Sequence, residues 1–166
     1  MPTQIFEIGR APEEAAITAE ELRQLLWVNR INSEWHITER EVMDSRFTDN
    51  GDGTVLDTKT GLTWTEDARL YRRMAWSTAI NVCKSLGGGW RLPERFELEG
   101  LLDLARHDPA LPQGHPFENV QSAYYWSATT YVNRTDYAWC VYMLNGNVHS
   151  DYKAHGSYYV WPVKEG

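Results

Sequence analysis

Three consecutive glycines, Gly87-Gly88-Gly89, separate two short helix-period stretches near the middle of the chain, and the patterned segments around them read as strands. In the first stretch, residues 75–86, Trp76, Ala79, Ile80, Cys83 and Leu86 fall on one helical stripe. The glycines end it, and Trp90-Arg91-Leu92-Pro93 makes an extended link. Pro93 and Glu94 open a second helix with Phe96, Leu98, Leu101, Leu102 and Leu104 as its apolar side, Arg106 and His107 near its C-terminal end, and Pro109 as its limit. Turn clusters at 49–53 and 58–61 enclose a short strand and predict a β-meander before the helices. After a Pro-rich loop over 108–120, strands are expected at 124–131, 138–143, from Val148 onward and at 158–163, with Asn145-Gly146-Asn147 as a hairpin turn. Helices grouped in the middle and strands at both ends define an α+β chain, not a series of βαβ units.

Residues 1–45 have a different texture and predict an acidic, partly helical leader ahead of a domain over 46–166. The leader holds nine acids and four bases, out of a formal charge of −7 for the whole chain. Thr18 with Glu21 is a capping box, and Leu22, Leu25, Leu26, Trp27 and Val28 give a helix over 18–30. That helix either packs on its own domain or serves as a docking or oligomerisation element, because so short a helix needs a partner surface. The negative charge argues against a general nucleic-acid binder. No run approaches the ~18 apolar residues of a membrane span, and the first residues do not read as a signal peptide. Eight Trp and nine Tyr exclude disorder for most of the chain.

The run from Phe47 to Val55, followed by Thr60-Gly61-Leu62-Thr63-Trp64, resembles a bacterial family of unknown function named for the C-terminal domain of a Legionella collagen-like adhesin (Lcl). Gly88-Gly89-Trp90-Arg91-Leu92-Pro93, Glu97-Leu98, Leu101-Leu102, Tyr125-Trp126-Ser127, Ala138-Trp139, Gly146, Val148 and Tyr159-Val160-Trp161-Pro162-Val163 agree in order. The resemblance covers about residues 46–163. It implies a C-type lectin-like fold, with both ends of the domain in one sheet and two helices packed on a mainly antiparallel twisted sheet. Family members are usually secreted or surface-exposed, and many pair a helix cysteine with one in the last strand. Here that strand offers Trp161 and Pro162 instead, so a Cys83–Cys140 pair stays open. Trp90, Trp126 and Trp139 are expected as core anchors, and Arg91 as a loop pin bonding carbonyls.

The sequence offers little for catalysis. Cys83 and Cys140 fall inside a helix stripe and a strand, where thiols are inert. His36, His107, His115, His149 and His155 lack metal-ligand spacing, although His149 and His155 flank a loop with Asp151. A calcium loop beginning at Asp49 would place Gly51 and Gly53 at ligand positions and Thr60 at the twelfth, so no calcium requirement is expected. No Trp-Asn-Asp or Glu-Pro-Asn tripeptide of a calcium-dependent lectin occurs, and a lectin-like fold does not by itself define a lectin. No cofactor is called for.

The remaining signal is a surface palette. Tyr131, Asn133, Arg134, Asp136, Asn145, Asn147, His149, Ser150, Asp151, Tyr152, His155 and Tyr158 combine aromatic anchors with adaptable polar groups, as recognition surfaces do. Parity puts Trp139, Val141, Met143 and Val148 on the core side and turns Asn147, His149 and Asp151 outward beside Tyr152 and His155. The reading is a non-catalytic module that binds a protein or glycan. A structural subunit of a larger bacterial assembly, which the 18–30 helix would help to form, and an uncharacterised enzyme are the alternatives.

Overall fold

A computed structural model describes residues 46–166; the helix expected over 18–30 lies outside the described residues. Three short strands come first: β1 Phe47–Asp49, β2 Thr54–Asp57 and β3 Leu62–Thr65. Helices α1 Trp76–Ser85 and α2 Arg95–Leu101 follow. Then come β4 Tyr124–Thr130, β5 Tyr137–Tyr142 and β6 Val148–Tyr152, and β7 Val163–Glu165 closes the chain. The architecture is α+β, as the order of sequence signals requires.

The strands form two antiparallel sheets where one was expected. The first has the order β1-β2-β3-β7, so the start and end of the described domain share it, and the second is β4-β5-β6. The split falls in the closing segment. Tyr158 and Tyr159 make isolated bridges to Met74 and Tyr125, and regular pairing with β3 begins only at Val163. Pro162 lacks the N–H that an unbroken strand would need there.

The meander is set by its turns. Asp49 Oδ1 accepts the Gly51 N–H at 2.8 Å, Asp52 Oδ1 accepts the Thr54 N–H at 3.1 Å, and Gly51 and Gly53 take positive φ. Helix α2 begins with a capping box in which Glu94 and Glu97 satisfy each other's backbone N–H groups. It ends at Leu101, well before Arg106. Its buried residues are Leu98 and Leu101, whereas Phe96 and Leu104 are 73% and 75% exposed. The expected apolar side was therefore too wide, because a two-turn helix touches the core along one narrow line. On α1, Ala79 and Cys83 are buried, while Leu86 is exposed at the glycine stop.

Two packed clusters explain why the middle strand is buried on both faces at Ala138, Cys140 and Val141, while Tyr137, Trp139 and Tyr142 stay half-buried. On one face, Tyr125, Val141 and Met143 join Leu98 and Leu101 of α2 and Val55, Trp64 and Val163 of the first sheet. On the other, Trp126, Ala138 and Cys140 pack with Ala79 and Cys83 of α1 and with Leu92 and Val160. Each fully buried Val, Leu or Met side chain contributes about 1.5–3 kcal/mol, so both faces of β5 are strongly constrained. The expectation of one core face and one outward face fails for this strand.

The tryptophan anchors and Arg91 meet expectation only in part. Trp126 is a fully buried anchor, and its Nε1 donates to the Met74 carbonyl at 2.9 Å. Trp90 is only half-buried, with Lys164 Nζ 5.0 Å from its ring centroid. Among the described residues, the Arg91 side chain bonds carboxylates rather than carbonyls. Its guanidinium makes two 2.7 Å bonds to Glu97 and a 3.1 Å bond to Glu165, linking α2 to β7. Cys83 and Cys140 are both free and buried.

Candidate binding surface

Alternation along β5 and β6 decides which side chains stand together. Register pairs Tyr137 with Tyr152 and Trp139 with Ser150, while Ala138 pairs with Asp151 and Cys140 with His149. Directly paired residues share a face and sequence neighbours take opposite faces. Tyr137, Trp139, Ser150 and Tyr152 therefore line one face, and His149 and Asp151 the other.

On the first face stand two cation-aromatic groups, one reaching Trp139 from α2 and one at the end of β6. The Arg95 guanidinium lies 4.5 Å from the centre of the Trp139 ring and 5.1 Å from that of Phe96. Tyr131 meets Trp139 edge-on at 5.0 Å. Arg134 sits 3.8 Å over Tyr137, Tyr137 lies 5.6 Å from Tyr152, and Tyr152 stacks on His155 at 5.1 Å. Arg95 is held by Glu99 at 2.5 Å, and Arg134 pairs with Asp136 at 3.6 Å.

The loop carrying Tyr131 to Asp136 is short and internally tied. Tyr131 N–H donates to the Tyr137 carbonyl at 2.9 Å, and Tyr137 N–H donates back to the Arg134 carbonyl at 2.9 Å. Lys153 Nζ donates to Thr130 Oγ1 at 2.8 Å and to the Thr135 carbonyl at 2.9 Å, which fixes the loop against the end of the sheet. Asn133 reaches the Tyr131 hydroxyl at 3.4 Å. Beside this frame Val132 is 81% exposed.

The twelve sequence-derived residues thus divide three ways. Tyr131, Asn133, Arg134, Asp136, Ser150, Tyr152 and His155 belong to the first face and its bordering loops. His149, Asp151 and Tyr158 lie on the opposite side, so His149 and Asp151 do not stand beside Tyr152 as expected. There Asp151 Oδ2 accepts the Tyr158 hydroxyl at 2.7 Å, and Tyr124 stacks on Tyr142 at 4.5 Å with His149 6.1 Å away. Asn145 and Asn147 occupy the hairpin turn at the far end of β5, where Asn147 N–H bonds Asn145 Oδ1 at 3.1 Å.

Sequence reasoning missed Arg95, Phe96, Tyr137 and Trp139. Trp139 carries the parity of core residues, and Phe96 sits within the apolar pattern of α2. No local signal separates such residues from true core. Nor do the described residues bring three His, Cys, Asp or Glu side chains together in a metal-holding group. No described helix is long and apolar enough to cross a membrane.

Fold and surface together define a small α+β domain that presents an aromatic and cationic face from one end of a three-stranded sheet. The Lcl C-terminal domain model matches residues 53–164, and the chain belongs to that family. No curated protein matches the chain.

Proposed function

We propose that this domain is a non-catalytic recognition module on a C-type lectin-like framework, and that its ligand is a protein seated on the face built by Arg95, Phe96, Tyr131, Tyr137, Trp139 and Tyr152. The pairing of β7 with β3, which closes the domain's two ends into one sheet, supports the lectin-like reading. The carrying observation for function is that two groups of rings and guanidinium groups, one around Trp139 and one around Tyr137, stand on the same face beside exposed Phe96 and Val132. Trp, Tyr and Arg are the residue types that dominate protein interfaces. A protein ligand is favoured over a glycan because the Trp139 ring already carries Arg95 and Tyr131, which leaves less of it free to stack on a sugar.

The test is a pull-down with the full chain and with a Phe96→Ala/Arg134→Ala variant, scored by the affinity of any captured protein. Both side chains are exposed, so the variant should keep its circular dichroism and melting temperature while binding at least tenfold more weakly, since each anchor contributes roughly 1 kcal/mol or more. Equal affinity of the two forms for every captured protein would sink the assignment. A glycan-array signal lost in the variant would move the same face to the glycan reading. Comparison of solution mass with and without residues 1–45 addresses the rival reading, a structural subunit, which requires assembly to fail on truncation.

A further inference from the structure

The segment between β3 and α1 contains three arginines within five residues, Arg69, Arg72 and Arg73, in a chain whose formal charge is −7. Backbone bonds anchor it at both ends. Ala68 N–H donates to the Glu118 carbonyl at 2.9 Å, and Met74 exchanges bonds with Tyr158 at 3.0 and 3.2 Å. Ala68 is fully buried, and Tyr71 packs against the cluster beneath α1. With its ends and middle held, the loop presents Arg69, Leu70, Arg72 and Arg73 outward.

These side chains and Tyr159 line a recess of about 550 Å³, within the size range of small-molecule sites. Arg73 lies 5.0 Å over the Tyr159 ring, which orients one guanidinium across the recess. The arginines differ from the others described. Arg46, Arg91, Arg95 and Arg134 each pair with a carboxylate, and Arg106 with Gln113. Arg69, Arg72 and Arg73 make no ion pair among the described residues. The neighbouring Asp67 carboxylate instead accepts the Arg69 backbone N–H at 2.7 Å.

We propose that this recess is a binding site, separate from the Trp139 face, for a small oxyanion (a carboxylate or phosphate) carried on a planar apolar body. Guanidinium forks match the two-oxygen edge of either anion, and three cations that make no ion pair among the described residues line the recess and supply the charge. Leu70, 46% exposed, provides the apolar wall against which the body lies, next to the Tyr159 ring on which Arg73 rests. Inorganic phosphate alone lacks that second contact and should bind more weakly.

The experiment is titration of the full ¹⁵N-labelled chain with phenyl phosphate, benzoate and inorganic phosphate, followed by amide and arginine side-chain resonances. Phenyl phosphate or benzoate should shift residues 69–73 and Tyr159 saturably, and whichever binds more tightly identifies the anion. An Arg72→Ala/Arg73→Ala variant should bind that probe about tenfold or more weakly, as expected for loss of charge-assisted hydrogen bonds, with its melting temperature retained. Tyr159→Leu removes the ring that seats Arg73 and should weaken binding of every anionic probe, inorganic phosphate included. Absence of saturable shifts up to millimolar probe, or equal affinity in the double-arginine variant, would overturn the proposal. Protein capture through the Trp139 face should be unchanged in the arginine variant, so the two sites fail or stand independently.

Discussion

The Tyr158 hydroxyl donates to Asp151 Oδ2 at 2.7 Å, joining β6 to the segment that returns toward β7. The same tyrosine ring stands 4.7 Å from Trp126 in an edge-on contact. Burial, and then the facing Asp151 carboxylate, push the phenol above its ordinary value of 10.0. The bond assigns both residues to holding the sheet. Tyr158→Phe removes it while keeping the ring, and should cost about 1–2 kcal/mol in urea unfolding. Affinity for a captured protein should not change. A weakened complex with unchanged stability would return Tyr158 to the binding residues.

Glycine replacement distinguishes a rigid contact from a yielding one. A Cβ on Gly156 would lie 2.6 Å from Trp126 Cζ2, and that buried indole is tied to the Met74 carbonyl. Gly156→Ala should cost about 2–3 kcal/mol, because the ring has nowhere to move. At Gly146 the Cβ would meet Leu104 Cδ2 at 2.5 Å and Leu102 Cδ1 at 3.2 Å; Leu104 is mostly exposed and can swing away, and Leu102 need give only a few tenths of an ångström. There the φ of +80° decides, and Gly146→Ala should cost about 1 kcal/mol. Denaturation midpoints in the reverse order would contradict this packing.

Acid sensitivity should trace to two carboxylates. Burial raises the pKa of Asp57, but its hydrogen bonds with Arg46 at 2.6 and 2.8 Å, then bonds from Thr60 and Lys59, outweigh burial and leave it below its ordinary 3.8. Burial likewise opposes the Arg91 pair at Glu97, and the pair holds Glu97 below 4.5. Lowered folded values mean stability that is present above the unfolded pKa and lost as pH falls through the folded one. The melting temperature should therefore hold from neutrality to about pH 5 and drop steeply below about pH 4. Asp57→Asn should cost about 2–4 kcal/mol at pH 7, since it breaks a largely buried pair, and should flatten the acid slope. An unchanged slope would show that these groups do not control it.

The two thiols should be silent in the folded protein. Burial pushes Cys83 and Cys140 up to about 12, and the Cys140 thiol lies 3.3 Å from the His149 carbonyl. The thiolate is the reactive form. Ellman's reagent at pH 8 should therefore label neither residue in the native chain and both after unfolding in denaturant. Fast labelling of one thiol in the native state would mean that the cluster under α1 opens readily.

The order of elements, the glycine stop after α1, the turns of the meander and the start of α2 were legible because each depends on a few neighbouring residues. Turn chemistry, capping and periodicity are local: Asp49 bonds Gly51 two residues on, and Glu94 and Glu97 cap each other three residues apart. The choice of binding face was not local. The sequence pattern set Asp151 beside Tyr152, whereas the register puts them on opposite faces; nothing in that pattern told which side a helix would cover, and both sides of Cys140 and Val141 are covered. Trp139 reads as core until Arg95, 44 positions earlier in the chain, is seen lying on its ring. Arg91 finds its partners on α2 and β7, and the arginines after β3 become a recess only when Tyr159 returns beside them. Packing of distant segments, whose geometry no short window of sequence carries, decided those contacts.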